Sequence, residues 1–163
     1  MPTVSNTSPI SNLAWIGRLD LLRVQFTEIW IPEAVETELQ SVPDPVARRA
    51  IVEAQRGRWL KVRAPGDGPL ISLLAVELDI GEAQAIALAL ELNAGWLLID
   101  EREGRAMARQ LGLKLTGVLG ILLRAKVNKQ IKAIKPEIEA LRKKAGFFIS
   151  PALEGTILKQ AGE

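Results

Sequence analysis

The sequence lacks three residue types on which enzymes often rely, because it contains no cysteine, no histidine and no tyrosine. The absence of cysteine excludes disulfides, thiol catalysis and cysteine-ligated zinc. The absence of histidine excludes Ser-His-Asp and Cys-His mechanisms and histidine-rich metal sites, and tyrosine cannot serve as an acid or base. Chemistry near pH 7 therefore falls to carboxylates, Lys, Arg, Ser or Thr, and carboxylates and hydroxyls suit a hard cation such as Mg²⁺ or Mn²⁺.

Long hydrophobic runs are also missing. The longest, around "AIALAL" and "GVLGILL", are far shorter than the ~18–20 residues that span a bilayer. The start "MPTVSN" has neither a basic region nor an apolar core, so it does not read as a signal peptide. We therefore expect a cytoplasmic protein with no membrane partner, and the length of 163 residues predicts a single domain over residues 1–163.

Charge is unevenly distributed along the chain. Residues 1–100 contain 8 Lys/Arg and 13 Asp/Glu, whereas residues 101–163 contain 13 Lys/Arg and 6 Asp/Glu. This asymmetry indicates either an acidic site beside a surface that attracts polyanions, such as the basic stretch from Arg124 to Lys144, or a set of solvated helix faces.

Short apolar segments alternate with helical patterns along the chain. We predict strands at "PTVS", "EIWI", "WLLI", "LKLT" and "FFIS", an edge strand or extended link at "WLKVRAP", and a loop at "GDGP". The helical segments include "SPISNLAWIGRLDLL", broken at Gly17, and a helix from about Gly81 to Leu92 that is apolar nearly all round and therefore buried. This alternation predicts an α/β fold, a three-layer α/β/α sandwich with a short, mostly parallel sheet.

Polar residues follow the ends of three predicted strands, where open parallel sheets bind ligands. Asn6, Thr7 and Ser8 follow the first strand, Asp100 follows "WLLI", and Thr116 follows "LKL". Either Asn6 or Ser8 could equally cap the helix after the first strand, and Asp100 could cap the helix that follows "WLLI".

Two further acids lie on predicted helices. Glu38 falls on the apolar face of "PEAVETELQ", where an acid is costly unless it is paired, binds a metal or reaches solvent at the edge of the face. Glu82 begins the buried helix, where Asp79 and Glu82 also have the spacing of a capping box. Each signal is weak alone, but together two strand ends and two helices offer oxygen ligands at one sheet edge.

Four blocks of the chain resemble the PIN-domain superfamily, in particular its branch of small prokaryotic toxin-like nucleases. These blocks are "VSNTSPISNLAWIGRLDLL", "IPEAVETEL", "LDIGEAQAIALALELNAGWLLIDEREGR" and "LGLKLTGVLGILLRAK". The resemblance covers nearly the whole chain. It implies a parallel sheet between helices, with acids at its carboxyl edge that hold Mg²⁺ or Mn²⁺ and hydrolyse phosphodiesters in single-stranded RNA. It also implies an antitoxin partner and a homodimer.

The resemblance maps the metal ligands to Asn6, Glu38, Glu82 and Asp100, with the three acids catalytic and with Thr7 and Ser8 as supporting hydroxyls. PIN domains usually have Asp at the first of these positions. An amide oxygen can still bind Mg²⁺ but brings no charge, so we expect weak metal binding and slow or lost nuclease activity.

Without histidine, a carboxylate or metal-bound hydroxide must act as the base. Arg102, and less surely Arg105, could contact phosphate oxygens, and Thr116 is a further substrate-binding candidate; both arginines could also be ordinary surface charge. Two alternatives to a ribonuclease toxin remain open: a weakly active or inactive PIN-like module that binds nucleic acid or protein, and a receiver-type domain with Asp100 as phosphate acceptor. The receiver reading ranks last because the first strand is not followed by an acid pair.

Overall fold

An all-parallel sheet of five short strands forms the centre of the computed structural model, which describes residues 1–163. The strand order is β3-β2-β1-β4-β5, so the chain starts in the middle of the sheet and builds outward in both directions. The strands are β1 (Thr3–Ser5), β2 (Ile29–Ile31), β3 (Leu60–Val62), β4 (Trp96–Leu98) and β5 (Leu115–Thr116). The segment "WLKVRAP" is thus an edge strand.

Ten helices connect and cover these strands. They are α1 (Thr7–Trp15), α2 (Asp20–Phe26), α3 (Glu33–Gln40), α4 (Pro45–Arg56), α5 (Gly68–Leu74), α6 (Ile80–Glu91), α7 (Arg102–Gln110), α8 (Val118–Val127), α9 (Lys135–Ala145) and α10 (Pro151–Gln160). The predicted break at Gly17 is confirmed: this residue has φ of 71° and lies between α1 and α2. No helix is both long enough and apolar enough to cross a membrane.

Both faces of the sheet are buried, as expected when parallel strands are joined by helices. Side chains alternate between faces along each strand. Val4, Leu97 and Ile99 pack in the cluster that contains residues of α5, α6 and α7, whereas Ile31 and Leu98 pack in the larger cluster on the opposite face. These two cores confirm the predicted three-layer α/β/α sandwich.

Two local predictions were wrong. Residues 147–150, "FFIS", form no strand, because the segment leaves α9 at the left-handed Gly146 and pairs with no strand of the sheet. Part of the predicted "GDGP" loop begins helix α5, where Asp67 Oδ1 accepts a hydrogen bond from Leu70 N at 3.0 Å. That side-chain cap satisfies a free backbone donor and starts the helix.

Candidate metal and nuclease site

Asn6 lies at the carboxyl end of β1, directly before the first residue of α1, and is 3% exposed. Its side chain makes no capping hydrogen bond with the helix. Instead Nδ2 donates to Glu101 Oε2 at 3.0 Å, while Oδ1 is buried without any hydrogen-bond partner. A buried polar atom without a partner is costly, so the free amide oxygen marks a position suited to a ligand.

The two hydroxyls after Asn6 hold carboxylates from other parts of the chain. Thr7 Oγ1 donates to Glu38 Oε2 at 2.6 Å, and Ser8 Oγ donates to Glu101 Oε1. The first turn of α1 therefore positions one acid from α3 and one from the loop after β4. The supporting role of both hydroxyls toward a metal or substrate stays a prediction.

Glu38 reaches from α3 to the first turn of α6, where Gly81 has no side chain. A Cβ on Gly81 would collide with Glu38 Oε1 and would lie 3.4 Å from Asn6 Oδ1. Because both oxygens face the same point, the glycine leaves open the space that they share. Glu38 is exposed, so it reaches solvent at the edge of the apolar face of α3, while its carboxylate lies beside Gly81 near Asn6. Its role as a metal ligand stays a prediction.

Glu82 is only 6% exposed at the start of α6. Burial, together with the neighbouring acids Asp79 and Glu101, raises the pKa of Glu82 from its ordinary value of 4.5 to about 7, while a backbone hydrogen bond at Asp79 opposes this shift. The predicted cap by Asp79 is confirmed, since Asp79 Oδ1 accepts from Glu82 N at 2.8 Å. Capping explains why Asp79 is present, but it does not account for the buried carboxylate of Glu82.

Asp100 points to a different neighbour from the other predicted ligands. Its Oδ1 accepts a hydrogen bond from Val118 N at 2.8 Å, at the start of α8. Burial raises the pKa of Asp100 from 3.8 to about 6, although the Val118 amide lowers it. Asp100 thus anchors α8 rather than the next helix in sequence, and its role as a metal ligand stays a prediction.

Glu101 is the acid that the structure places against Asn6 and Ser8, and the sequence reasoning missed it. The available signal was the adjacent pair Asp100 and Glu101 after β4. Neighbouring residues in extended chain point to opposite sides, so one of the two had to face the end of β1. The sequence alone does not show which one.

The remaining predicted residues lie around this centre. Arg105 Nη1 donates to Ile99 O at 2.8 Å, and burial lowers the pKa of its guanidinium. Arg102 is exposed at the first position of α7. Thr116 is half-buried at the end of β5, with Oγ1 against Gly120. Their roles in substrate binding stay predictions.

The donor chemistry of this edge fits a hard divalent cation, because amide and carboxylate oxygens are the preferred ligands of Mg²⁺. Asn6 Oδ1 has no partner, and Glu38 Oε1 approaches the same point beside Gly81. No group of three or more Asp or Glu side chains in the structure is arranged to hold one metal ion. The fit therefore rests on the free amide oxygen and on the acids gathered beside it.

Fold and site together define an α/β domain with acids at the carboxyl edge of a parallel sheet. The model of the family DUF3368, a PIN domain, matches residues 2–163, so the chain belongs to this PIN-domain family. This membership confirms the resemblance of the four sequence blocks. PIN domains are generally nucleases and typically use divalent metal ions, which indicates a nuclease-type function in general terms.

Among solved structures, the chain is similar to a PilT N-terminus domain protein from the hyperthermophilic archaeon Sulfolobus solfataricus P2. The two share 20% sequence identity with a TM-score of 0.51 over 77% of this chain and 93% of the other. At this identity the likeness shows the fold alone. No curated protein matches the chain.

Proposed function

We propose that this protein is a ribonuclease that hydrolyses phosphodiesters of single-stranded RNA with Mg²⁺ or Mn²⁺, and that it is the toxin of a type II toxin–antitoxin pair. The observation that carries the proposal is the buried Asn6 Oδ1, unpartnered beside the carboxylates of Glu38 and Glu101. An acid-lined edge repels RNA unless a cation is bound, so this arrangement favours metal-assisted chemistry.

The contacts of the site residues suggest a separate role for each of them. Asn6, Glu38 and Glu101 would hold the metal ion, with Asp100 retained as a candidate. When bound, the ion would lower the pKa of a coordinated water and offset negative charge on the phosphate. Ser8 and Thr7 keep Glu101 and Glu38 in place through their hydroxyl hydrogen bonds.

Glu82 is the candidate general base. A base works best when its pKa lies near the working pH, and burial and neighbouring acids bring the pKa of Glu82 to about 7. With no histidine in the chain, Glu82 would take the proton of the attacking water. Arg102, exposed next to Glu101, would contact phosphate oxygens of the RNA backbone.

Cleavage of a pool of unstructured RNAs with Mn²⁺ tests this assignment. We expect Glu82→Gln and Glu101→Gln to lose roughly 10²–10⁴-fold in rate, the usual value of a positioned acid or base. Glu53→Gln, which neutralises an exposed acid on α4, is the matched control and should cleave like the wild type. Comparing Asp100→Asn with Glu101→Gln decides which acid after β4 serves the metal. Equal cleavage by all variants would reject the site.

A second candidate is a weakly active or inactive module that binds RNA or protein, and the neutral Asn6 specifically favours it. If the wild type does not cleave and Asn6→Asp does, this second function is the correct one. The toxin role is tested separately by expressing the chain alone and with the product of any small reading frame that adjoins its gene. Growth arrest that the neighbour relieves supports a toxin with an antitoxin partner, whereas growth without arrest opposes it.

A further inference from the structure

A cavity of about 470 Å³ opens beside the acidic site, on the other side of the loop after β4. Its floor contains Asp100, Arg105 and Gly117, and its walls include Phe147, Phe148 and Ile157. Neither Phe residue takes part in the nuclease site described above. The cavity has the size of sites that hold a small ligand, with apolar walls and a few convergent polar groups.

The floor presents a hydrogen-bond acceptor and a donor side by side. A Cβ on Gly117 would collide with Asp100 Oδ1 and would lie 3.1 Å from Arg105 Nη1. The absent side chain of Gly117 thus makes room for Asp100 Oδ1, which accepts from Val118 N, while Arg105 Nη1 donates to Ile99 O. The groups left for a ligand are Asp100 Oδ2, which is buried without a partner, and the other N–H groups of the Arg105 guanidinium. A planar group that carries a donor next to an acceptor matches this pair, and each RNA base has such an edge.

Phe148 is held in an exposed position by its neighbours. It is 85% exposed, whereas Ile149 is 4% exposed and anchors the segment in the core. Phe147 N donates to Leu141 O at 3.1 Å, and Arg142 donates to Ile149 O and pairs with Glu154 of α10. These contacts fix the backbone on both sides of Phe148, which lines the cavity, and its exposed ring is free to stack on a ligand.

The charge around the cavity favours a polyanion as the ligand. Lys143 and Lys144 are exposed in the last turn of α9, five and four residues before Phe148, and Lys159 is exposed next to the cavity-lining Gln160. Exposed aromatic rings combined with a positive margin are the usual features of sites for single-stranded RNA, in which bases stack and the backbone follows the charge.

We propose that this cavity binds one unpaired base of the RNA strand, stacked on Phe148 and facing Asp100 and Arg105. Because Asp100 directly precedes Glu101, a base in the cavity fixes the adjoining phosphodiester next to the acid cluster. The cavity thus sets the register of the strand relative to the nuclease site. This inference rests on the proposed function in taking RNA as the ligand.

The test measures RNA binding in EDTA, so that it does not depend on cleavage. Fluorescence anisotropy with a labelled, unstructured 12-nucleotide RNA compares the wild type with Phe148→Ala, Phe148→Leu and Phe148→Trp. Loss of one stacked base should weaken binding about 5- to 100-fold in the Ala and Leu variants, and Trp should bind at least as well as Phe. Val76→Ala removes an equally exposed apolar side chain outside the cavity and should bind like the wild type.

A second measurement separates the base from the phosphate. In NMR spectra, nucleoside monophosphates should shift the ring signals of Phe147 and Phe148, whereas ribose 5-phosphate should not. The proposal is overturned if the wild type does not bind RNA, if Phe148→Leu binds as tightly as Phe148→Trp, or if ribose 5-phosphate shifts the rings equally. It is also overturned if Phe148→Ala leaves RNA binding intact but dissociates a dimer, which would assign the cavity to a second copy of the chain.

The outcomes distinguish this inference from the proposed nuclease function. RNA binding that depends on the Phe148 ring, without cleavage in Mn²⁺, supports the base site and rejects the nuclease. Cleavage lost in Glu82→Gln but unchanged in rate and RNA affinity in Phe148→Leu supports the nuclease and rejects the base site.

Discussion

At the scale of single residues, Asn6 decides how the acidic edge behaves with and without a cation. We expect Asn6→Asp to lower the free energy of unfolding in EDTA by about 1–3 kcal/mol, because the hydrogen bond to Glu101 is replaced by two facing carboxylates. The same change should tighten Mn²⁺ binding at least tenfold, since the cation relieves that repulsion. Chemical denaturation and isothermal titration measure the two effects.

The control for Asn6→Asp is Asn93→Asp, which adds a carboxylate at an exposed residue in the turn after α6. It should change neither Mn²⁺ affinity nor stability by a comparable amount. An unchanged Mn²⁺ affinity in Asn6→Asp would show that Asn6 Oδ1 does not face the metal.

Glu82 should make stability depend on pH between about 4.5 and 7. Because its folded pKa is raised from 4.5 to about 7, the native state holds more protons than the unfolded state in this range. The free energy of unfolding therefore falls as pH rises through this window, and Glu82→Gln should flatten the fall. Denaturation in EDTA at pH 5 and pH 8 measures it, and a slope equal to that of the wild type would contradict it.

Most of the site residues could be predicted from the sequence, but their orientations could not. Glu38 and Glu82 follow from their places on helices whose apolar faces are visible in the sequence, and Asn6 from the end of a strand. The choice between Asp100 and Glu101 depends on how the chain turns after Leu98, where β4 ends. The contact that decides it, between Asp100 and Val118, joins residues 18 positions apart.

At the scale of secondary-structure elements, Gly81 is the point of α6 beside which the Glu38 carboxylate of α3 lies. We expect Gly81→Ala to leave stability within about 1 kcal/mol of the wild type, because alanine favours the helix by up to that amount and Glu38 is a flexible side chain that can move. Mn²⁺ binding should weaken at least tenfold, since the methyl group displaces Glu38 Oε1 and fills the space near Asn6 Oδ1.

Thermal unfolding in EDTA and Mn²⁺ titration check this separation of folding from binding. Gly155→Ala, at a helical glycine with open space around it, is the matched control for the change in helix propensity. A loss of stability of several kcal/mol in Gly81→Ala would mean that the glycine serves packing and not the site.

Helices were easier to predict than strands in this chain. Long apolar patterns and caps, such as Asp79 before α6, specify a helix from local residues alone. A strand forms only when a neighbouring strand pairs with it. The edge strand β5 is only two residues long, and the aromatic "FFIS" segment does not pair with it. The same aromatic composition that indicated a strand instead provides the wall of the cavity.

At the scale of the whole molecule, the acids of the site and most of the positive charge come from different parts of the chain. The acids of the site come from α3, α6 and the loop after β4, and the net positive charge is concentrated after residue 100. The family assignment was predictable from sequence blocks that span almost the whole chain. The cavity beside Phe147 and Phe148 was not predictable, because it joins α7, β5, α8, α10 and the irregular segment after α9.

The last prediction concerns how that positive charge binds RNA. Lys143 and Lys144 end α9 immediately before the cavity aromatics, and both are exposed. If both contact phosphates of a single strand, changing the pair to Gln should reduce the slope of log K against log salt by about 1.4, because each contact releases about 0.7 of a counterion.

The matched control changes Arg48 and Arg49, two adjacent exposed arginines on α4, to Gln. Both double variants lose the same net charge, so a long-range effect of charge would change both slopes equally. RNA binding titrations from 50 to about 300 mM salt measure the slopes. A reduced slope only in the Lys143 and Lys144 variant places the RNA backbone at the end of α9, whereas equal slopes in the two variants would contradict it.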